Sequence, residues 1–223
     1  MAAVAAPTKS EQTRDLIAKT ALRLFRERGY EATTMRAIAA EAGVSVGNAY
    51  YYFSSKEELI QLYYEHSQDD HTAACQPVLE REKEFRARLL GVMRARIDTL
   101  QPYKEFAGKF FKYAAEPTSP LSPFSPESAP IREAAVAVYR EVVEGSTLKT
   151  DAEIRADLPE LLWLYSMGVI LHWVYDSSPG AAKTYRLIER TVPLIDRLVG
   201  LARVPGMRGI VRDALATYRD LRR

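Results

Sequence analysis

Residues 34–53 read TMRAIAAEAGVSVGNAYYYF. Met35, Ile38, Ala39 and Ala42 recur at three- and four-residue spacing, so they predict a short helix with one apolar face. Thr33 or Thr34 supplies its N-cap, and Gly43 stops it. Glycine accepts the positive φ that a tight turn demands, Val44 can plug the gap between two helices, and Ser45 caps a second helix that ends near Tyr52. Two short helices joined by such a turn form a helix-turn-helix, a layout whose second helix can lie in the major groove of DNA.

The residue types on that second helix suit a groove. Gly47 lets the backbone approach closely, Asn48 offers a donor and an acceptor to adenine, and Val46 can touch a thymine methyl. Tyr50, Tyr51 and Tyr52 carry hydroxyls for phosphate oxygens and rings for sugars. Three consecutive tyrosines on a short helix of small residues exceed what core packing needs. Thr34, Arg36 and Ser45 flank the pair of helices, and Lys56 opens the next one as a phosphate clamp. The alternative is a three-helix packing unit that never meets DNA.

Outward on the N-terminal side, Leu16, Ile17, Thr20, Ala21, Leu24 and Phe25 form one stripe on a helix over 13–28, ended by Gly29. Residues 1–9 carry no periodic pattern and are expected to be a mobile arm. On the other side, Ser54 or Ser55 caps a helix with Glu57 and Glu58 in its first turn, where the helix dipole favours negative charge. It runs through Leu59, Leu62 and Tyr63 towards His71. Phe85, Leu89, Val92, Met93 and Ile97 mark another long helix, and Pro102 opens one bearing Phe106, Phe110 and Tyr113. The segment EPTSPLSPFSPESAP, residues 116–130, breaks the pattern because its prolines cannot continue a helix. It reads as a lid or a long loop. Helices are then expected over 131–144, 159–176, 182–201 and 207–222. No strand pattern and no internal repeat emerge, so the fold class is all-α.

Between Phe25 and Leu59 the sequence resembles the TetR family of repressors. The residues that carry the likeness are Phe25-Arg26-Glu27-Arg28-Gly29-Tyr30, Thr33-Thr34-Met35-Arg36-Ala37-Ile38-Ala39, Ala42-Gly43-Val44-Ser45, Gly47, Tyr50, Tyr52-Phe53 and Ser55-Lys56-Glu57-Glu58-Leu59. The likeness spans about residues 13–62. It implies an N-terminal three-helix helix-turn-helix domain (10–55) and a C-terminal helical ligand-binding and dimerisation domain (56–223). It also implies homodimers on palindromic double-stranded operator DNA, released by a small-molecule effector. The second domain diverges across the family, so no ligand carries over.

The expected dimer surface is the hairpin of 159–176 and 182–201, with Leu161, Leu164, Tyr165, Gly168, Val169, His172 and Tyr175 on one helix. Leu187, Thr191, Leu194, Ile195 and Leu198 lie on the other. Two such hairpins make a four-helix bundle, and the same faces also suit a monomer core. An apolar or aromatic effector has candidate contacts in Met93, Tyr103, Phe106, Phe110, Tyr139, Trp163, Met167 and His172. An aromatic stripe at helical spacing equally makes ordinary core. A DNA-bound scaffold governed by a protein partner is the competing functional reading.

Other classes find little support. Glycine-rich phosphate loops, the HExxH zinc pair and the GxSxG elbow do not occur in the sequence, so catalysis is not expected. His66, Asp70 and His71 make a poor metal set, and neither metal nor cofactor is expected. The single cysteine, Cys75, suits a reducing compartment. No window is apolar enough to span a membrane, which suggests a cytoplasmic protein. Net charge is only +2. The last 21 residues hold six arginines against Asp213 and Asp220, a basic stretch that reads as a solvated helix face.

Overall fold

The computed structural model describes residues 8–201 together with 209, 213 and 220. The helix expected over 207–222 therefore lies almost wholly outside the described residues, as does the arm up to residue 7. The described residues contain nine α-helices and no strand: α1 (Lys9–Arg28), α2 (Met35–Glu41), α3 (Val46–Tyr52), α4 (Lys56–Arg81), α5 (Phe85–Leu100), α6 (Lys104–Ala114), α7 (Ala129–Glu144), α8 (Ala152–Tyr175) and α9 (Ala182–Leu201).

Two of these helices start earlier than their apolar stripes. α1 begins at Lys9, four residues before the expected start at 13, because Thr8 and Glu11 form a capping box. The Thr8 hydroxyl accepts from the Glu11 N–H while the Glu11 carboxylate accepts from the Thr8 N–H. α8 begins at Ala152, so Pro159 sits inside it rather than opening it. α4 likewise runs on through Pro77 to Arg81. The proline-rich break of 116–130 is a chain of turns in which Ser119, Ser122 and Ser125 each donate an N–H to the carbonyl three residues back.

The helices divide into two compact units, neither of them a continuous stretch. Unit 1 comprises residues up to 67 together with 103–131; unit 2 comprises 68–102 and everything from 132 onward. α4 belongs to both, changing unit between Ser67 and Gln68.

Unit 1 is α1–α3, the first half of α4, α6 and the turn segment. Its core gathers Ile17, Leu24, Phe25, Ile38, Ala49, Phe53, Leu59 and Ile60, with Phe106, Phe110 and Leu121. Burying each of the larger side chains contributes roughly 1.5–3 kcal/mol. Gln61 donates to the Pro120 carbonyl and the Ser128 hydroxyl, and Tyr64 donates to the Leu121 carbonyl. The turn segment is thereby tied to the helix that follows the helix-turn-helix.

In unit 2, α5 packs on α9 and α8, and α8 on α9. Its largest fully buried side chains include Trp173, Tyr139, Leu89, Met93 and Ile97. Charged and polar groups are buried with them. The Arg88 guanidinium donates to the carbonyls of Leu79 and Glu82 around the end of α4 and to those of Glu141 and Val142 at the end of α7. Helix C-termini leave their last carbonyls without intrahelical donors, and here one side chain serves two of them. Asp176 accepts from the backbone N–H and hydroxyl of both Ser178 and Thr184, which fastens the α8–α9 turn. Burial raises the Asp176 pKa, but those four hydrogen bonds outweigh it and hold the carboxyl well below the usual range.

Candidate DNA-reading surface

Each device that positions α3 is local. Thr34 is the N-cap of α2, accepting the Ala37 N–H at 3.1 Å, and Ser45 is the N-cap of α3, accepting the Asn48 N–H at 3.1 Å. Gly43 between them has φ +68°, in the left-handed region that favours glycine. Ala49 on α3 and Phe53 just after it are fully buried and pin the helix to the core.

That anchoring leaves the other face of α3 outside. Tyr50 is 52% exposed and Tyr51 80% exposed. Val46 and Gly47 are exposed, Asn48 is half-buried, and Thr34, Arg36 and Ser45 are exposed beside them. A hydroxyl that accepts a cap hydrogen bond keeps a proton to donate, so Thr34 and Ser45 can cap a helix and touch a phosphate together. Tyr51 meets Tyr52 edge-on at 5.1 Å. Adjacent exposed rings of this kind form a contiguous patch, the sort of surface that a partner covers.

Tyr52 and Lys56 are placed differently. The Tyr52 hydroxyl shares a hydrogen bond with Ser10 on α1 at 3.1 Å, and its ring is half-buried. The Lys56 ammonium donates to the Tyr30 carbonyl at 2.8 Å and lies 4.3 Å from the Tyr30 ring centroid. Lys56 thus holds the α1–α2 turn as well as standing at the start of α4.

Tyr30 is the residue whose role sequence reasoning passed over. Its hydroxyl donates to Glu57 at 2.5 Å, and its ring contacts Phe25, Phe110 and Tyr113. Burial first, and the Glu57 carboxylate second, push its phenol pKa far up, so it remains a donor at any physiological pH. The signal was its place directly after the helix-ending Gly29. Arg14 is a second such residue, with its guanidinium 5.2 Å from the Phe53 ring centroid beneath α3.

The eight residues expected around an effector are split between the units. Tyr103, Phe106 and Phe110 belong to unit 1, where Tyr63 packs edge-on against Tyr103 and Phe106. Met93, Tyr139, Trp163, Met167 and His172 belong to unit 2. Met93 and Tyr139 meet there, the Tyr139 hydroxyl 3.5 Å from the Met93 sulfur, and both are fully buried, with Trp163 nearly so. Met167 is half-buried. His172 is exposed, and its Nδ1 pairs with the Thr184 hydroxyl across α8 and α9.

Beside Met93 in sequence order, unit 2 buries a polar set that the helical pattern disguised. Arg96 donates to Gln68, and the His71 Nε2 lies 3.2 Å from the Val92 carbonyl. Burial, assisted by the Arg96 charge, drives the His71 pKa down to about 3, so the ring is neutral. Burial pushes the Cys75 thiol up to about 12, which makes it unreactive. Among the described residues no group of three His, Cys, Asp or Glu gathers as metal ligands, and no helix is long and apolar enough to cross a membrane.

Comparison with known proteins gives two family matches. Residues 17–62 match the model for bacterial regulatory proteins of the tetR family, and residues 88–215 match the tetracyclin repressor-like C-terminal domain. YerO, an HTH-type transcriptional regulator of Bacillus subtilis, is 45% identical over 49 residues, covering 22% of this chain and 17% of the relative. The HTH-type transcriptional repressor KstR2 of Mycolicibacterium smegmatis is 38% identical over 55 residues, 25% of this chain and 27% of the relative. The aligned stretch thus spans under a third of either relative's length. Among solved structures, a TetR transcriptional regulator from Nitrosomonas europaea matches with a TM-score of 0.63 at 17% identity, over 82% of this chain and 97% of the other. FadR of Thermus thermophilus, solved in complex with lauroyl-CoA, matches with a TM-score of 0.61 at 24% identity, over 86% and 99%. At these identities the structural likeness speaks for the fold.

Proposed function

The chain belongs to the TetR family of bacterial regulatory proteins, and on that premise we propose that it is a repressor that reads a palindromic operator as a homodimer and leaves it when a small molecule binds unit 2. The observation that carries the DNA reading is the outward face of α3. A seven-residue helix with two exposed tyrosines, anchored from behind by Ala49 and Phe53, is built to be covered by something. In the major groove Asn48 and Val46 face base edges and specify, while the tyrosine hydroxyls, Thr34 and Arg36 face phosphates and position.

For the homodimer, the support is a set of exposed apolar side chains along the α8–α9 hairpin. Leu171 and Tyr175 on α8 and Leu194 and Leu198 on α9 stand out of unit 2, Tyr175 at 72% and Leu198 at 63% exposed. Tyr165 with Thr191, and His172 with Thr184, join the two helices from within the hairpin. Burying four such side chains against a second copy contributes several kcal/mol, and a two-fold dimer doubles the base pairs read.

For the effector we take unit 2, where Met93, Tyr139 and Trp163 are buried and Met167 is half-buried, and we take its class to be an apolar or aromatic molecule. Binding there selects the conformer whose recognition helices are wrongly spaced, and α4, which starts at Lys56 in unit 1 and ends in unit 2, carries the change. The shift can be no larger than the ligand's preference between the two states.

Fluorescence anisotropy on labelled duplexes tests the DNA reading. The wild-type protein is expected to bind duplex DNA at low salt, and Tyr51→Ala to weaken binding to every sequence about tenfold while leaving the melting temperature unchanged. Failure of the wild type to bind any duplex would overturn the reading, and equal affinity of the wild type and Tyr51→Ala would remove Tyr51 from the interface.

A further inference from the structure

Unit 1 holds a half-open cavity of about 280 Å³ where the α1–α2 turn meets α6. We propose that this cavity is a binding site for a compact amphipathic carboxylate, an aromatic ring bearing one acid group, distinct from the effector site placed in unit 2.

The floor of the cavity is aromatic. Phe106, Phe110 and Tyr113 recur at four- and three-residue spacing and so share one side of α6, and Phe25 and Tyr30 close the floor from α1 and the turn. Tyr30 lies 5.4 Å from Phe110 and 5.1 Å from Tyr113, centroid to centroid. Aromatic groups prefer such tilted and edge-on neighbours, so a further ring entering here gains contacts of the same kind.

The rim is cationic. Arg28, Lys109 and Lys112 line the opening against a single carboxylate, Glu31. Lys109 pairs with Glu105, and Arg28 with Glu41 at 3.7 Å, but neither of those acids lines the cavity. The Lys112 ammonium stands 3.8 Å from Glu31. These pairs are solvent-exposed and so worth little each, and a ligand carboxylate can take over a cation at small cost.

The walls are set before a ligand arrives. Gly29 turns the chain with φ +86°, and the buried Thr33 hydroxyl bonds the carbonyls of Gly29 and Leu24, fixing the turn from below. Lys56 and Glu57 hold Tyr30 from the other side. A preformed site spends less of its binding energy on ordering itself. The volume lies just below the usual range of ligand pockets, about 300–1,000 Å³, which favours one or two fused rings over a nucleotide or a long acyl chain. Because Tyr30 also holds the first residues of α4, an occupant is felt where the DNA-reading helices join the rest of the chain.

The probe for the test is 2-naphthoate, titrated into the full chain by isothermal calorimetry. One equivalent per chain is expected to bind in the micromolar to low millimolar range, and the uncharged 2-naphthamide about tenfold more weakly. The double variant Lys109→Glu/Lys112→Glu, at exposed positions, is expected to weaken 2-naphthoate at least about tenfold. Ala32→Trp, which places a ring over the cavity, is expected to abolish binding. Tyr139→Phe in unit 2 is expected to change nothing, which separates this site from the proposed effector site. Absence of heat at millimolar probe overturns the proposal. So does undiminished binding by the double lysine variant, or a loss confined to Tyr139→Phe. If Ala32→Trp fails to fold, the lysine variant decides alone.

Discussion

In unit 1 many long-range contacts run through rings, beside hydrogen bonds such as Gln61 to Pro120: Tyr30 touches Phe110 and Tyr113, while Tyr63 touches Tyr103 and Phe106. In unit 2 many of them run through buried polar groups: Arg88 joins α4 to α7, Arg96 reaches Gln68, and Asp176 fastens α8 to α9. The difference matters because the two kinds of contact fail differently. An aromatic cluster loses stability in proportion to the area and volume removed. A buried guanidinium that serves two helix ends leaves several carbonyls without donors when it goes, each costing about 1–3 kcal/mol. Unit 1 thus depends more on ring packing, and unit 2 on polar groups held in fixed places inside.

The largest expected effect comes from removing the strongest polar anchor. Arg88→Leu should lower unfolding stability by about 3 kcal/mol or more, read by urea denaturation followed by tryptophan fluorescence. Both tryptophans, Trp163 and Trp173, lie in unit 2 and report on it. A loss below about 1 kcal/mol would break the contrast between the units.

The His71 ring sharpens the same contrast through pH. Its folded pKa is depressed to about 3 by burial and by Arg96, against an ordinary 6.5. Between those values the unfolded chain takes up a proton that the folded chain refuses, so stability falls as pH drops through that window. The penalty is expected to reach a few kcal/mol near the acid end. His71→Gln should remove it, so that the stability difference between variant and wild type grows in the variant's favour from pH 7 towards pH 4. A parallel pair of curves would contradict a neutral buried ring.

On the unit 1 side, Asn48→Ala should cost roughly 1–3 kcal/mol of discrimination at one base step, with little change on random DNA. Equal losses on cognate and random duplexes would deny Asn48 a reading role. The smallest expected effect is Lys56→Ala. It should weaken binding to all sequences modestly and also lower stability by about 1 kcal/mol, because its ammonium bonds the Tyr30 carbonyl. A change in affinity with none in stability would make Lys56 a phosphate contact alone.

What could be read from the sequence follows from the same contrast. The α2–turn–α3 geometry was legible because each part obeys a local rule: a threonine cap, a glycine with positive φ and a serine cap, whereas the burial of Ala49 showed only in the structure. The start of α1 was also written locally, in Thr8 and Glu11, but a search for apolar periodicity overlooks a capping box that precedes the stripe. Pro159 misled for a related reason, since proline is common at a helix start and rare inside one. The shared membership of α6 and α1–α3 in one unit was not legible, because nothing in a run of aromatic residues says which distant helix will meet it. Arg88, Arg96 and His71 were hidden most thoroughly. Charged residues on a helix are mostly solvated, and only the packed structure shows these three turned inward.

The central claim, that α3 reads duplex DNA, is tested most directly by letting the full chain select from random duplexes at low salt. The expected result is enrichment of one sequence arranged as an inverted repeat, with half-sites about one helical turn, 34 Å, or a multiple of it apart. Enrichment of no sequence over the starting pool, with DNA retained equally whatever its order, would contradict it.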